Sequence, residues 1–267
     1  MTAIRHLRAA GGILRRETLR TLSQHGRLAA AIVRPLIWLA VFAAGFRAVL
    51  GLSITPPYQT YVLYEVYIVP GLAGMMLLFN GLQTSLSMVY DREMGSMRTL
   101  LIAPLPRWFL LGVRLLANVL AVIPLVVLFL LLARLWDVRP PALGYLAVLP
   151  ALVVAGLMLG AFGLLLSSLV PRLENFAGVM NFVIFPMFFA STALYPLWRL
   201  EDASPLLATV ARLNPFTHAV EMIRFALYLR LEFLSLAVTG GTLALFFALA
   251  VLGYDPGRGL WAHRRKA

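Results

Sequence analysis

Five stretches of this chain are long, apolar and free of charge: Val66 to Tyr90, Leu115 to Ala133, Pro140 to Pro171, Asn175 to Trp198 and Phe233 to Tyr254. Each is close to or beyond the roughly 20 residues a helix needs to cross a bilayer core of about 30 Å. With 61% hydrophobic and only 13% charged residues, the chain has too little polar surface for water, since a soluble domain carries about 25% charge. A sixth span precedes these five. Twelve residues separate Arg34 from Arg47, about 18 Å of helix, which is too short to cross. The span must therefore start nearer Leu28 and take in Arg34, Pro35 or both. An arginine so placed either snorkels to the headgroups or faces a protein cavity. Pro70, Pro124, Pro150 and Pro186 lie within or at the ends of spans, where neighbouring helices can satisfy the freed carbonyls. Gly156 and Gly160 form a small-xxx-small pair suited to close helix approach. The expectation is an all-α integral membrane protein, residues 1–267 forming one transmembrane domain of six helices.

The net charge of +12 does not argue for nucleic acid, because the basic residues sit at the chain ends and between apolar runs rather than in one patch. They argue for topology instead. With the N-terminus inside, the inner segments hold 14 basic residues and the outer ones six (Arg134, Arg139, Arg199, Arg212, Arg224 and Arg230). Short loops with this bias face the cytoplasm. Both termini and the stretch around residue 98 are therefore expected on that side.

Three segments do not read as spans. Residues 1–27 set Ile4, Leu7, Leu14, Thr18 and Leu22 on one face and the arginines on the other, with Glu17 as the single acid. That is the pattern of a cytoplasmic amphipathic helix lying in the membrane interface. Residues 91–106, between two spans, read as a short charged helix closed by Pro104 and Pro106. It is too polar to cross and too regular to be a tether. Residues 200–232 read as an outer region of two short helices. Asn214 can cap a helix whose first position is Pro215. The second helix sets Phe216, Val220, Ile223 and Leu227 on one face and His218, Glu221, Arg224 and Tyr228 on another. At about 24 Å it is short of a crossing. The pair either dips into the outer leaflet and returns or lies flat outside.

Two aromatic groups have paired readings. Tyr58, Tyr61, Tyr64 and Tyr67 make one helical stripe, an interfacial belt or a stacking platform for a flat ligand. Phe182, Phe185, Phe188 and Phe189 crowd the fifth span, as helix–helix core or as a binding wall.

Much chemistry is excluded. There are no cysteines, so thiol catalysis and iron–sulfur clusters are out. The single lysine is Lys266, so no GxxxxGK[ST] phosphate loop exists. The four histidines do not cluster and HExxH is absent, leaving no metal site or catalytic centre to expect. No carboxylate falls mid-span, which weakens an ion-coupled secondary transporter, the alternative reading.

The stretch DREMGSMRTLLIAPLPR at residues 91–107 and LNPFTHAVEMIR at residues 213–224, placed among six spans, resemble the permease subunits of type 2 ABC exporters, which include drug, lipo-oligosaccharide and polysaccharide exporters. The resemblance implies a coupling helix within residues 91–106 that docks into a separate cytoplasmic ABC ATPase subunit, with Arg92, Glu93, Gly95, Met97, Arg98, Leu101 and Pro104 as the contact residues. It implies outer re-entrant helices carrying Asn214, Pro215, Phe216, Glu221 and Arg224. It also implies a permease homodimer in the bacterial cytoplasmic membrane among membrane lipids, with ATP and magnesium on the partner subunit and no cofactor in this chain. The expected activity is outward movement of an amphipathic, lipid-linked or drug-like substrate.

Overall fold

The computed structural model describes residues 2–23, 25–46, 56–58, 62–94, 105–170 and 172–254. These form α1 (Thr2–Leu22), α2 (His25–Phe46), α3 (Tyr64–Glu93), α4 (Arg107–Leu132) with a 3-10 turn Ala133–Trp136, α5 (Gly144–Leu169), α6 (Leu173–Phe189), α7 (Leu197–Ala203), α8 (Pro205–Leu213), α9 (Pro215–Leu227) and α10 (Phe233–Gly253). No strand occurs among the described residues. Five helices are long and apolar enough to cross a membrane, and the first such window, Leu28–Gly45, includes both Arg34 and Pro35. The chain is a multi-pass membrane protein.

The expected fifth span, Asn175 to Trp198, is helical only as far as Phe189. Seventeen residues reach about 25 Å, less than the roughly 30 Å core. Pro186 sits in the last turn and Ala190 leaves helical geometry at φ −92°, ψ 53°. The Ser191 hydroxyl then donates to the Phe188 carbonyl at 2.6 Å, taking an acceptor the helix end leaves open. A short apolar helix thus stands where a full span was expected.

Helix α3 is the axis of the fold. It packs against α2, α4, α5, α6 and α9 and contributes Tyr67, Ile68, Leu72, Leu77 and Leu82 to the core. Its closest neighbour is α5, and small residues permit that approach. A Cβ on Gly81 would stand 3.0 Å from the Gly160 backbone, and one on Gly163 would stand 2.9 Å from the Gly81 carbonyl oxygen. Gly160 therefore meets the expectation of a close helix contact, with Gly81 as its partner. Without a hydrophobic force between helices in lipid, such close van der Waals packing is the main source of cohesion.

The special segments are placed as follows. Helix α1 lies against α4 and ends at Leu22, before the expected boundary at 27. Asp91, Arg92 and Glu93 belong to the last turn of α3, so the charged stretch begins inside a span helix. Within it, Gly95, Met97, Arg98, Leu101 and Pro104 lie outside the described residues. Residues 200–232 contain the end of α7 and two further short helices, α8 and α9, broken at Asn214.

Candidate functional site: two polar poles on one helix

Each end of α3 carries a cluster of buried polar groups. At its C-terminal end, the Arg114 guanidinium of α4 donates to Asp91 Oδ2 at 2.7 Å and lies 3.6 Å from Glu17 Oε1 of α1. Arg114 and Glu17 are both only 6% exposed. A buried charge persists only when paired, so this triad ties α1, α3 and α4 at one point. Arg92 reaches the other way. Its Nη1 donates to the Ser167 carbonyl at 3.0 Å and its Nη2 to the Val170 carbonyl at 2.7 Å. Those carbonyls belong to the end of α5, where acceptors have no intrahelical donor. Glu93 Oε1 accepts from the Leu173 backbone N–H at 2.8 Å, the matching orphan donor at the start of α6. The Ser167 hydroxyl and the Tyr254 hydroxyl lie 2.7 Å apart, which joins α10.

At the N-terminal end of α3, Arg224 of α9 is 1% exposed. Its guanidinium carbon stands 4.0 Å over the Tyr67 ring, a cation–π contact strengthened by desolvation. Nη2 donates to the Thr192 carbonyl at 2.8 Å, Nη1 pairs with Glu221, and the Tyr67 hydroxyl donates to the same Thr192 carbonyl at 3.0 Å. Thr192 lies in the turn after α6, so one carbonyl binds α3 and α9 to that turn. Asn214 makes the second tie. Its Oδ1 accepts from the Phe216 N–H at 3.0 Å, while Nδ2 donates to the Met187 and Ala190 carbonyls at 2.9 and 2.8 Å. The cap expected from the Asn–Pro pair is present, and the same side chain closes the end of α6. Pro215 takes the first helical position, and Phe216 is buried against Phe188 with ring centroids 6.2 Å apart. In the loop before α3, Tyr58 packs edge-on to Tyr228 at 4.7 Å. Burial holds its phenol well above the usual range although Arg224 pulls it down.

Several residues stand elsewhere than the sequence suggests. Tyr58, Tyr64 and Tyr67 are core residues at 8, 2 and 1% exposure, so they form no belt at a lipid interface. The Arg224 cation recruits the Tyr67 face, and the protein closes over both. Tyr61 lies outside the described residues. Phe188 is buried, but Phe182, Phe185 and Phe189 are 77, 56 and 42% exposed, because α6 packs on α3 along one face only. Arg114 and Thr192 are not legible as site residues, and Tyr67 is legible only as a member of the tyrosine stripe. The available signal was the lone acid Glu17 in a basic helix, which asks for a buried cation.

The ABC-2 type transporter family model matches residues 10–228, a span containing the residues of both poles except Tyr254. The chain belongs to the ABC-2 type transporter family. Family membership makes it a membrane permease subunit of an ABC transporter and sets aside the ion-coupled alternative. Among the relatives of this ABC-2 permease, a transport permease, ycf38, of Cyanophora paradoxa is 30% identical over 204 residues, covering 74% of this chain and 67% of that one. A multidrug ABC transporter permease, YbhR, of Escherichia coli strain K12 is 29% identical over 171 residues, 62% of this chain and 45% of that one. Nodulation protein J of Rhizobium leguminosarum bv. trifolii is 32% identical over 90 residues, 31% of this chain and 33% of that one.

Proposed function

We propose that this permease is the membrane subunit of an ATP-driven exporter, in which α3 transmits motion between its two poles. The observation that carries the reading is the anchoring of one helix at both ends. Thirty residues make a rod of about 45 Å, longer than a bilayer core. Its C-terminal pole runs directly into residues 95–104, the remainder of the expected coupling segment. Arg92 and Glu93 clamp that junction to α5 and α6, so a push on residues 95–104 is delivered to the bundle rather than absorbed by a hinge. A separate cytoplasmic ABC ATPase supplies the push, holding the ATP and magnesium for which this chain has no phosphate loop. Gly95, Met97, Arg98, Leu101 and Pro104 form the docking surface, with Arg92 and Glu93 positioning it.

At the other pole, Arg224, Glu221 and Asn214 hold α9 and the end of α6 together. In this reading α8 and α9 are outer re-entrant helices, and this pole is the outward gate. Two copies of the permease in the bacterial cytoplasmic membrane, termini inside, enclose the path between them. The substrate is an amphipathic, lipid-linked or drug-like molecule. An ATP-driven switch requires that the ATPase bind two states of the permease unequally. The rigid α3 rod distinguishes them.

Arg98→Ala tests the docking surface. The variant is expected to insert in the membrane as the parent does, yet to lose co-purification of the ATPase subunit and permease-dependent stimulation of its ATP hydrolysis. Stimulation equal to the parent in reconstituted vesicles would refute the assignment.

A further inference from the structure

Between α2, α3, α4 and α6 lies a groove of about 540 Å³, which shares Leu173 with the C-terminal pole. Its lining contains one formal charge, Arg34, and no carboxylate. Among the described residues Arg34 has no acidic partner. Its guanidinium carbon rests 4.5 Å over the Phe79 ring, and the residue is exposed. Six residues from Leu28 put it about 9 Å inside the span, a depth at which an unpaired cation is costly. The wall on α3 is graded. Asn80, Gln83 and Tyr90 line the groove toward the C-terminal end of α3, whereas Met75, Met76 and Val122 line its deeper end. From Met75 to Tyr90 the wall runs about 22 Å, and Arg34 meets it at Phe79, about 6 Å from the Met75 end.

A cation without a counter-ion, carboxamides beside it and an apolar slot beyond it describe the complement of an amphiphile with an acidic head. We infer that this groove holds one bilayer phospholipid of net negative charge, its phosphate on Arg34 and one acyl chain along the Met75–Val122 end. A guanidinium matches a phosphate bidentately. No carboxylate is in the lining, and the nearby Glu93 is engaged by the Leu173 N–H, which disfavours a zwitterionic lipid. This inference goes beyond the exporter reading and does not depend on the ATPase.

The test uses the purified full chain in detergent. Native mass spectrometry with added phosphatidylglycerol or phosphatidylethanolamine of identical acyl chains should show one phosphatidylglycerol retained per chain. The expected preference is about fivefold, the discrimination one basic side chain gives near an anionic headgroup. Arg34→Gln should erase that preference and Arg34→Lys should keep part of it. Photoactivatable phosphatidylglycerol on the parent chain, which needs no variant to fold, should label residues 28–35 and 75–90. Equal retention of both lipids, an unchanged preference in Arg34→Gln, or labelling confined to other segments would overturn the assignment. So would displacement by glycerol phosphate lacking acyl chains, which would make the groove a simple anion site. Spontaneous disulfide formation by Ala30→Cys between copies would equally overturn it, by showing a second chain covering the groove.

Discussion

Arg114 and Arg224 show how a buried charge turns a sequence position into a structural decision. Arg114 immediately precedes the charge-free run from Leu115, where it reads as an ordinary span-end cation; in the structure it pairs with both Glu17 and Asp91. Truncating it removes the cation beside the buried Glu17 carboxylate, and breaking a buried pair costs about 3–5 kcal/mol. Arg114→Ala should therefore lower the thermal midpoint of the purified permease and expose α1 to protease before the spans unfold. Simultaneous melting of α1 and the bundle would refute the anchoring role. The Arg224 pole differs in kind, since its cation is met by a carboxylate, an aromatic face and backbone carbonyls, which fix a turn rather than a helix pair. Neither arrangement follows from local pattern, because the partners are 23 residues or more away along the chain, apart from Glu221.

At the scale of elements, the close contact of α3 with α5 makes the rod part of the bundle. The Gly160 half of that contact was legible as a small-xxx-small pair; Gly81 has the same spacing to Ser85, but which helix that pair meets depends on the tertiary packing. Gly81→Val should force the helices apart. Overpacking of this kind costs about 1–3 kcal/mol, read as a lower thermal midpoint in detergent. Helix α6 shows the converse failure of pattern. Hydropathy across Asn175 to Trp198 continues without a charge, yet the helix stops at Phe189, where Pro186 offers no N–H to the ladder and the Ser191 hydroxyl and the Asn214 side chain satisfy the terminal carbonyls. Composition measures apolarity and is blind to where backbone acceptors find their donors.

For the whole molecule, the face formed by Phe182, Phe185 and Phe189 together with Leu206 and Leu207 is exposed. In the exporter reading a second copy covers it. The chain has no native cysteine, so Phe185→Cys reports on this directly. Crosslinking between copies in native membranes is expected, with a dimer band lost on reduction. A monomer band alone, with Phe182→Cys equally silent, would place this face against lipid.

By itself the sequence determined that the chain is helical and membrane-embedded. It also indicated where most spans lie, that no nucleotide loop exists, and that Asn214–Pro215 opens a helix. Those properties are local or additive: hydropathy sums over a window, a missing lysine is missing everywhere, and a cap acts within one turn. The tertiary structure alone decided that Tyr67 is core, that Glu17 and Asp91 share Arg114, that Arg92 and Glu93 fasten α3 to the ends of α5 and α6, and that Arg34 faces a groove. Each of these depends on which helices become neighbours, and in lipid that choice rests on close packing and on burying polar groups in pairs. Residues far apart in sequence acquire their roles only when the bundle closes around α3.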